Sequence, residues 1–206
     1  MGKITEISPQ VKDKARVNVY LDGRFFCGLD LVTAAEYRLK TGMEITEERL
    51  TDIQREAEES RAYNKAIAYL GTALKPSKTV YDYLVKKGYT EQLAAAAVEK
   101  LTEYGFLDDE EYAKVYADSH KCKKSALLVR KELEQKGIGE EEIARALSDF
   151  PENDGAFALF VKYVRGKPEC VETYQKAFRY LLGKGFSYEA AKSALERWKD
   201  EGNNDD

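Results

Sequence analysis

The sequence predicts a mainly α-helical protein. Tandem three-helix repeats form an elongated, curved array, preceded by a small N-terminal module that contains a β-hairpin. Three observations carry this reading. Segments related to one another recur about every 48 residues in the last two thirds of the chain, an Asp-Gly pair separates two β-prone runs near the start, and the composition turns helical after about residue 60.

In the first sixty residues, Val17, Val19 and Leu21 alternate with Asn18 and Tyr20, and Asp22-Gly23 precedes Phe25 and Phe26. Asp-Gly suits the two positive-φ positions of a primed hairpin turn, so a hairpin is expected over residues 16–29. A short run at 4–7, stopped by Pro9, adds a third strand. A lone hairpin is marginal in water, so it must pack on the next element, a helix over 31–40 that ends near Gly42. Thr46 then reads as an N-cap, with Glu47 and Glu48 in the first turn, where the helix dipole favours acids.

Beyond this point the chain is rich in Glu, Lys, Ala and Leu, with apolar residues three and four apart, as in Ala66, Tyr69 and Leu70. Three stretches, 81–101, 130–150 and 178–198, align without a gap. Each has leucine four residues before a glycine (Leu84, Leu133, Leu181), lysine directly before it (Lys87, Lys136, Lys184) and a bulky apolar residue directly after it (Tyr89, Ile138, Phe186). Alanine follows nine residues past the glycine (Ala97, Ala146, Ala194), and four further on stand Leu101, Phe150 and Trp198. Each glycine, Gly88, Gly137 and Gly185, is expected to end one helix in the left-handed conformation, with the next helix starting at Thr90, near Gly139 or Glu140, and at Ser187. Two such helices leave room in the period for one more, over 62–74, 109–121 and 154–165. The expected organisation is therefore an N-terminal module at 1–60, repeats at 61–107, 108–152 and 153–200, and an acidic tail at 201–206.

Composition narrows the function. The chain has 206 residues, 34% of them charged, and a net charge of −4, which argues against a wholly basic nucleic-acid coat. No apolar run approaches the roughly 20 residues of a membrane span, and the N-terminus lacks a signal peptide's apolar stretch, so a cytoplasmic protein is expected. Cys27, Cys122 and Cys170 are far apart and form no CxxC, which fits reduced thiols; with a single histidine they supply no zinc set. Neither a metal nor a cofactor is expected.

Catalytic constellations are thin. His120 and Cys122 are two apart on a helix and point away from each other, and no nucleophile-elbow, Walker or dinucleotide-binding loop occurs. Asp108-Asp109, followed by two glutamates, reads as a helix cap rather than an acid–base pair. Between residues 120 and 131 the chain carries Lys121, Lys123, Lys124, Arg130 and Lys131 and no acid. This stretch is either a solvated loop and helix start or a surface for phosphates or an acidic partner. Lys87, Lys136 and Lys184 sit at helix C-termini, where the dipole alone favours a cation. Most of the fourteen tyrosines are expected to pack in cores or between repeats.

These residues resemble the RecX family, bacterial regulators of the recombinase RecA. The resemblance spans about residues 66–198 and rests on linked motifs: Tyr69-Leu70 with Ser77 and Leu84, KKGY at 86–89, GFLDDEEYAKVYADS at 105–119 and ELEQKGI at 132–138. The hairpin module is similar to the extension of longer members from Gram-positive bacteria. The chain departs from the family where Lys75-Pro76-Ser77 replaces a frequent arginine-serine pair, where His120 follows Ser119 in place of arginine, and where Lys124-Ser125 stands for a common glycine. A monomeric, non-catalytic protein without a membrane partner is expected, and the resemblance implies where it acts. Such a protein would lie in the groove of the RecA filament on DNA, bridge protomers and limit filament growth, ATP hydrolysis and strand exchange. Lys121, Lys123, Lys124, Arg130 and Lys131 are the expected contacts to RecA or DNA.

The charge is unevenly distributed along the chain. Residues 1–60 hold nine basic and twelve acidic side chains, whereas 112–149 hold eight and seven. The negative total comes largely from the N-terminal module. A stacked array should give a radius of gyration by solution scattering clearly above the roughly 17 Å of a compact domain of this length; a value at that figure would refute the elongated shape.

Overall fold

The computed structural model describes residues 1–202, so the last four residues of the expected tail lie outside it. It divides into two units: Met1–Gly71 with Tyr81–Glu103, and Thr72–Val80 with the chain from Tyr104 onward.

In the first unit, β1 (Gly2–Pro9), β2 (Arg16–Leu21), β3 (Arg24–Asp30) and β4 (Glu44–Ile45) form an antiparallel sheet in the order β3-β2-β1-β4. The expected hairpin is present, with Leu21 opposite Arg24 and the turn residues Asp22 and Gly23 at φ 48° and 81°. Burial alternates along β2, with Val17, Val19 and Leu21 inside. β4 was not foreseen: two residues carry too short a pattern to read, and they become a strand only by pairing with Gly2 and Lys3. Helix α1 spans Leu31–Glu36 and ends four residues before the expected limit. Arg38 adopts φ 51°, and Leu39 N–H donates to the Ala34 carbonyl at 2.8 Å, so the chain reverses and packs Leu39 and Met43 on the sheet. Burying those side chains overrides the helical propensity of 37–40.

Thr46 caps α2 (Glu47–Leu70) as expected, its hydroxyl accepting from Arg49 N–H. The first repeat's opening helix, expected at 62–74, is the second half of this longer helix. Leu50, Ile53 and Ala57 on α2 close the core of the sheet, and Ala62, Ala66 and Leu70 are buried further along. The helix stops at Gly71, φ 55°. Position 60 thus lies inside continuous helix. α3 (Ser77–Lys86) and α4 (Glu91–Glu103) come next, and α4 packs against α2 through Ala94, Ala97 and Leu101.

The second unit contains two more three-helix sets: α5 (Asp109–His120), α6 (Ala126–Gln135) and α7 (Glu140–Leu147), then α8 (Glu152–Val164), α9 (Val171–Gly183) and α10 (Tyr188–Gly202). The helices of each set pack on one another. One core gathers Ala113, Ala117, Val129, Leu133, Ile138 and Ile143; the other is built on Phe160, Leu181 and Phe186.

The repeat's signature residues behave alike in every set. Leu84, Leu133 and Leu181 are fully buried. Gly88, Gly137 and Gly185 have φ of 92°, 83° and 83°, and the next residue's N–H donates back to the leucine carbonyl at 3.2, 3.1 and 3.2 Å. This is a glycine-terminated helix end, where any other L-residue would cost roughly 1–2 kcal/mol. Thr90 and Ser187 cap the following helices through their hydroxyls, whereas Gly139 does so without a side chain.

Within the second unit the starts of the middle helices abut these glycines. A side chain at Gly137 would place its Cβ 2.7 Å from Lys78 Cβ, and one at Gly185 would lie 2.9 Å from Ser125 Oγ. Ser125 Oγ donates to the Lys184 carbonyl at 3.0 Å and also accepts from Leu128 N–H to cap α6. Leu133→Ala should cost about 2–5 kcal/mol in urea unfolding, as for a buried leucine whose site cannot fully collapse; an unchanged midpoint would contradict its place in the core.

Candidate partner and nucleic-acid interface

The basic stretch begins where α5 ends. Lys123 and Lys124 N–H both donate to the His120 carbonyl, at 2.8 and 3.0 Å, which turns the chain toward the Ser125 cap of α6. The structure divides the five expected contact residues by their use of charge. Lys124 is half-buried, and its ammonium lies 2.7 Å from both carboxylate oxygens of Glu132. Arg130 is paired with Glu140. Lys121 is exposed and 3.6 Å from the equally exposed Asp118, and Lys123 reaches only the Ser119 carbonyl, at 3.4 Å. Lys131 is exposed on α6 and makes no ion pair among the described residues. Lys123 and Lys131 thus make no ion pair among the described residues and Lys121 only an exposed one, while Lys124 and Arg130 are paired within the repeat.

A small network fixes Lys124. Tyr116 Oη donates to Glu132 at 2.9 Å, and the Lys124 and Lys136 ammonium groups lie 5.6 and 5.3 Å from the centre of the Tyr116 ring. Burial alone would raise the Glu132 pKa, but the hydrogen bonds from Lys124 and Tyr116 outweigh it and hold the carboxyl below its usual range. The lone histidine completes the group: its ring stacks on Tyr116 at 4.3 Å, with Nδ1 beside Ser119 Oγ and the Tyr116 carbonyl at 2.8 and 2.7 Å. Cys122 and Cys170 are exposed and Cys27 is buried, all as free thiols.

Asp108 and Asp109 act as two different caps. Asp108 accepts from Glu111 N–H at 2.8 Å and caps its own helix, while Asp109 accepts from Ser77 N–H at 2.8 Å, at the start of α3. The second role joins residues 32 apart, so local spacing could not show it.

The sequence reading also missed a second use of the lysines before the glycines. Lys87 lies 5.5 Å from the Tyr83 ring and Lys184 5.5 Å from the Tyr180 ring, each tyrosine four residues back along the chain. Tyr83 stacks on Tyr69 at 3.8 Å, and Tyr180 lies against Tyr163 with the rings tilted by 32° and 4.9 Å apart. The signal was present as the tyrosine that opens YLVKK and YLLGK; in the middle repeat Glu132 takes that place and Lys136 turns to Tyr116 instead. Such contacts contribute roughly 0.5–1 kcal/mol each at exposed sites.

Because its pKa is lowered in the folded chain, Glu132 contributes stability above the ordinary carboxylate range, and that contribution fades as pH falls through the lower folded value. Glu132→Gln should therefore cost on the order of 1 kcal/mol in urea unfolding near neutral pH. The gap to the parent should narrow as pH falls below the ordinary carboxylate range; a gap that stays constant with pH would contradict the network.

Comparison with known proteins agrees with this architecture. Residues 2–46 match the regulatory protein RecX N-terminal domain, 62–101 the first three-helix domain of RecX and 108–147 the second. The regulatory protein RecX of Bacillus licheniformis is 33% identical, over 95% of this chain and 77% of that protein. That of Clostridium perfringens strain 13 is also 33% identical, over 96% of each. A crystal structure of regulatory protein RecX superimposes with a TM-score of 0.70 at 28% identity, covering 95% of this chain and all of that one. A crystal structure of RecX from Lactobacillus salivarius, 24% identical with a TM-score of 0.62 over 68% of this chain and 96% of that one, shares the fold. From its strand module through its successive three-helix sets, the chain belongs to the RecX family of regulatory proteins.

Proposed function

We propose that this protein is a non-catalytic regulator of homologous recombination and DNA repair that binds in the groove of the RecA–DNA filament and limits filament growth, ATP hydrolysis and strand exchange. The observation that carries the reading is the succession of like three-helix sets, each closed around its own buried leucine, with Lys121, Lys123 and Lys131 exposed on the second of them. Several modest contacts along one chain multiply through effective concentration, which suits a partner that is itself a repeating polymer. A net charge of −4 with local free lysines fits a surface that presents protein and DNA phosphates together better than it fits bare DNA. His120, stacked and hydrogen-bonded beside Tyr116, is read as a structural residue.

The test follows RecA's DNA-dependent ATP hydrolysis as this protein is added, at two salt concentrations, beside direct DNA binding without RecA. The reading requires inhibition of hydrolysis at concentrations where the protein hardly binds DNA alone. Salt-sensitive DNA binding without an effect on RecA would favour an independent DNA-binding module, and neither effect would favour a scaffold for another protein. The triple variant Lys121→Glu/Lys123→Glu/Lys131→Glu leaves the Lys124–Glu132 and Arg130–Glu140 pairs intact. It should shift the inhibition curve to concentrations roughly tenfold or more higher; an unchanged curve would remove this stretch from the interface.

A further inference from the structure

The third set leaves a groove between α9 and α10. A hollow of about 420 Å³ is lined from α9 by Val171, Tyr174, Phe178 and Arg179 and from α10 by Leu195 and Lys199. Val171, Tyr174 and Phe178 stand three and four residues apart, so they form one stripe about two turns long on α9. α8 packs on both helices but supplies none of the lining, and so leaves the groove uncovered. Phe178 and Leu195 reach inward to the core of the set, whereas Val171 at the rim is 72% exposed.

The charge around this apolar floor has one sign. The lining includes Arg179 and Lys199 and no acid, and both cations are exposed and make no ion pair among the described residues. Glu172 and Glu196, on the same two helices, are taken up by Lys176 at 3.0 Å and Lys192 at 3.6 Å. A second hollow of about 380 Å³ shares Tyr174 with the first and is bordered by the α8–α9 loop, which brings Arg165 and Lys167 against one acid, Glu169. An occupant must satisfy floor and rim together. A phosphate chain would neutralise Arg179 and Lys199 but leave the floor wet, and an uncharged apolar helix would do the reverse.

We propose that this groove docks an acidic protein segment about two helical turns long, whose aliphatic or aromatic side chains lie along the stripe of Val171, Tyr174 and Phe178 and whose carboxylates meet Arg179 and Lys199. The proposal goes beyond the RecA–DNA reading and does not depend on it, because its residues are distinct from the 121–131 stretch and its probe contains neither RecA nor DNA.

The experiment selects random displayed peptides of about twelve residues, enough for the two turns with flanks, on the immobilised full chain. The enriched peptides are then synthesised, labelled and titrated by fluorescence anisotropy. Trp198, the only tryptophan, lines the adjoining hollow, so its emission reports occupancy by peptides that lack tryptophan. The enriched peptides should combine acids with apolar residues three and four apart. The double variant Arg179→Glu/Lys199→Glu should weaken their binding roughly tenfold or more and reduce its salt dependence. Val171→Ser, a change at an exposed position, should weaken it by a smaller factor, Arg179→Lys/Lys199→Arg should retain it, and thermal melting of all variants should match the parent. The proposal is overturned if no peptide is enriched, if the enriched peptides lack acids, if binding survives the double charge reversal, or if oligo-dT displaces the peptides as well as unlabelled peptide does. A concentration-dependent dimer abolished by the same double variant would assign the groove to a second copy of this chain and overturn it too.

Discussion

Each three-helix set depends on one backbone constraint, a glycine at positive φ that ends the middle helix and returns the next residue to the leucine five positions before it. That turn sets the angle at which the third helix leaves, and so decides which side chains meet Leu84, Leu133 and Leu181. In the second unit the missing side chain has another use: at Gly137 and Gly185 it lets the start of an earlier middle helix approach at a distance no Cβ would permit. Gly155 plays the same part in α8, where a Cβ would stand 2.7 Å from the Lys121 carbonyl oxygen. Gly88 differs, because the space where its Cβ would point is open and the residue forms part of a cleft wall. One local motif thus serves as helix stop, packing surface and pocket edge.

What could be read from the sequence was whatever is encoded within a few residues. The Asp22-Gly23 turn, the Thr46 cap, the three left-handed glycines and the buried leucines all follow from short-range rules, and their regular recurrence revealed the repeat. What escaped depends on partners far along the chain. Ile45 becomes a strand residue only beside Gly2, α1 ends early to place Leu39 on the sheet, and α2 runs unbroken because its two halves serve different cores. The basic stretch was legible as a charge run, but its internal division was not. Only the fold shows that Glu132 takes up Lys124 and Glu140 takes up Arg130, while Lys121, Lys123 and Lys131 remain outside. The groove lined by Val171, Phe178 and Leu195 was invisible for the same reason, since α9 and α10 supply its floor and its charges from separate parts of the sequence.

Charge in this chain therefore has two uses that a net value of −4 conceals. Some cations are consumed in holding helices, over tyrosine rings or against neighbouring carboxylates, and contribute modest stability. Others, such as Lys123 and Lys131, sit exposed on the surface without an ion pair among the described residues. A regulator built in this way can be acidic overall, which limits indiscriminate attachment to nucleic acid, while presenting positive charge at chosen points.

Co-sedimentation measures the central claim most directly. The protein is spun, at physiological salt, with RecA filaments assembled on single-stranded DNA with a slowly hydrolysed ATP analogue, beside RecA without DNA and DNA without RecA. The account predicts that the chain pellets with the assembled filament at a saturating ratio and stays largely in the supernatant with either component alone. Recovery in the supernatant with filaments present, or equal pelleting with bare DNA, would contradict it.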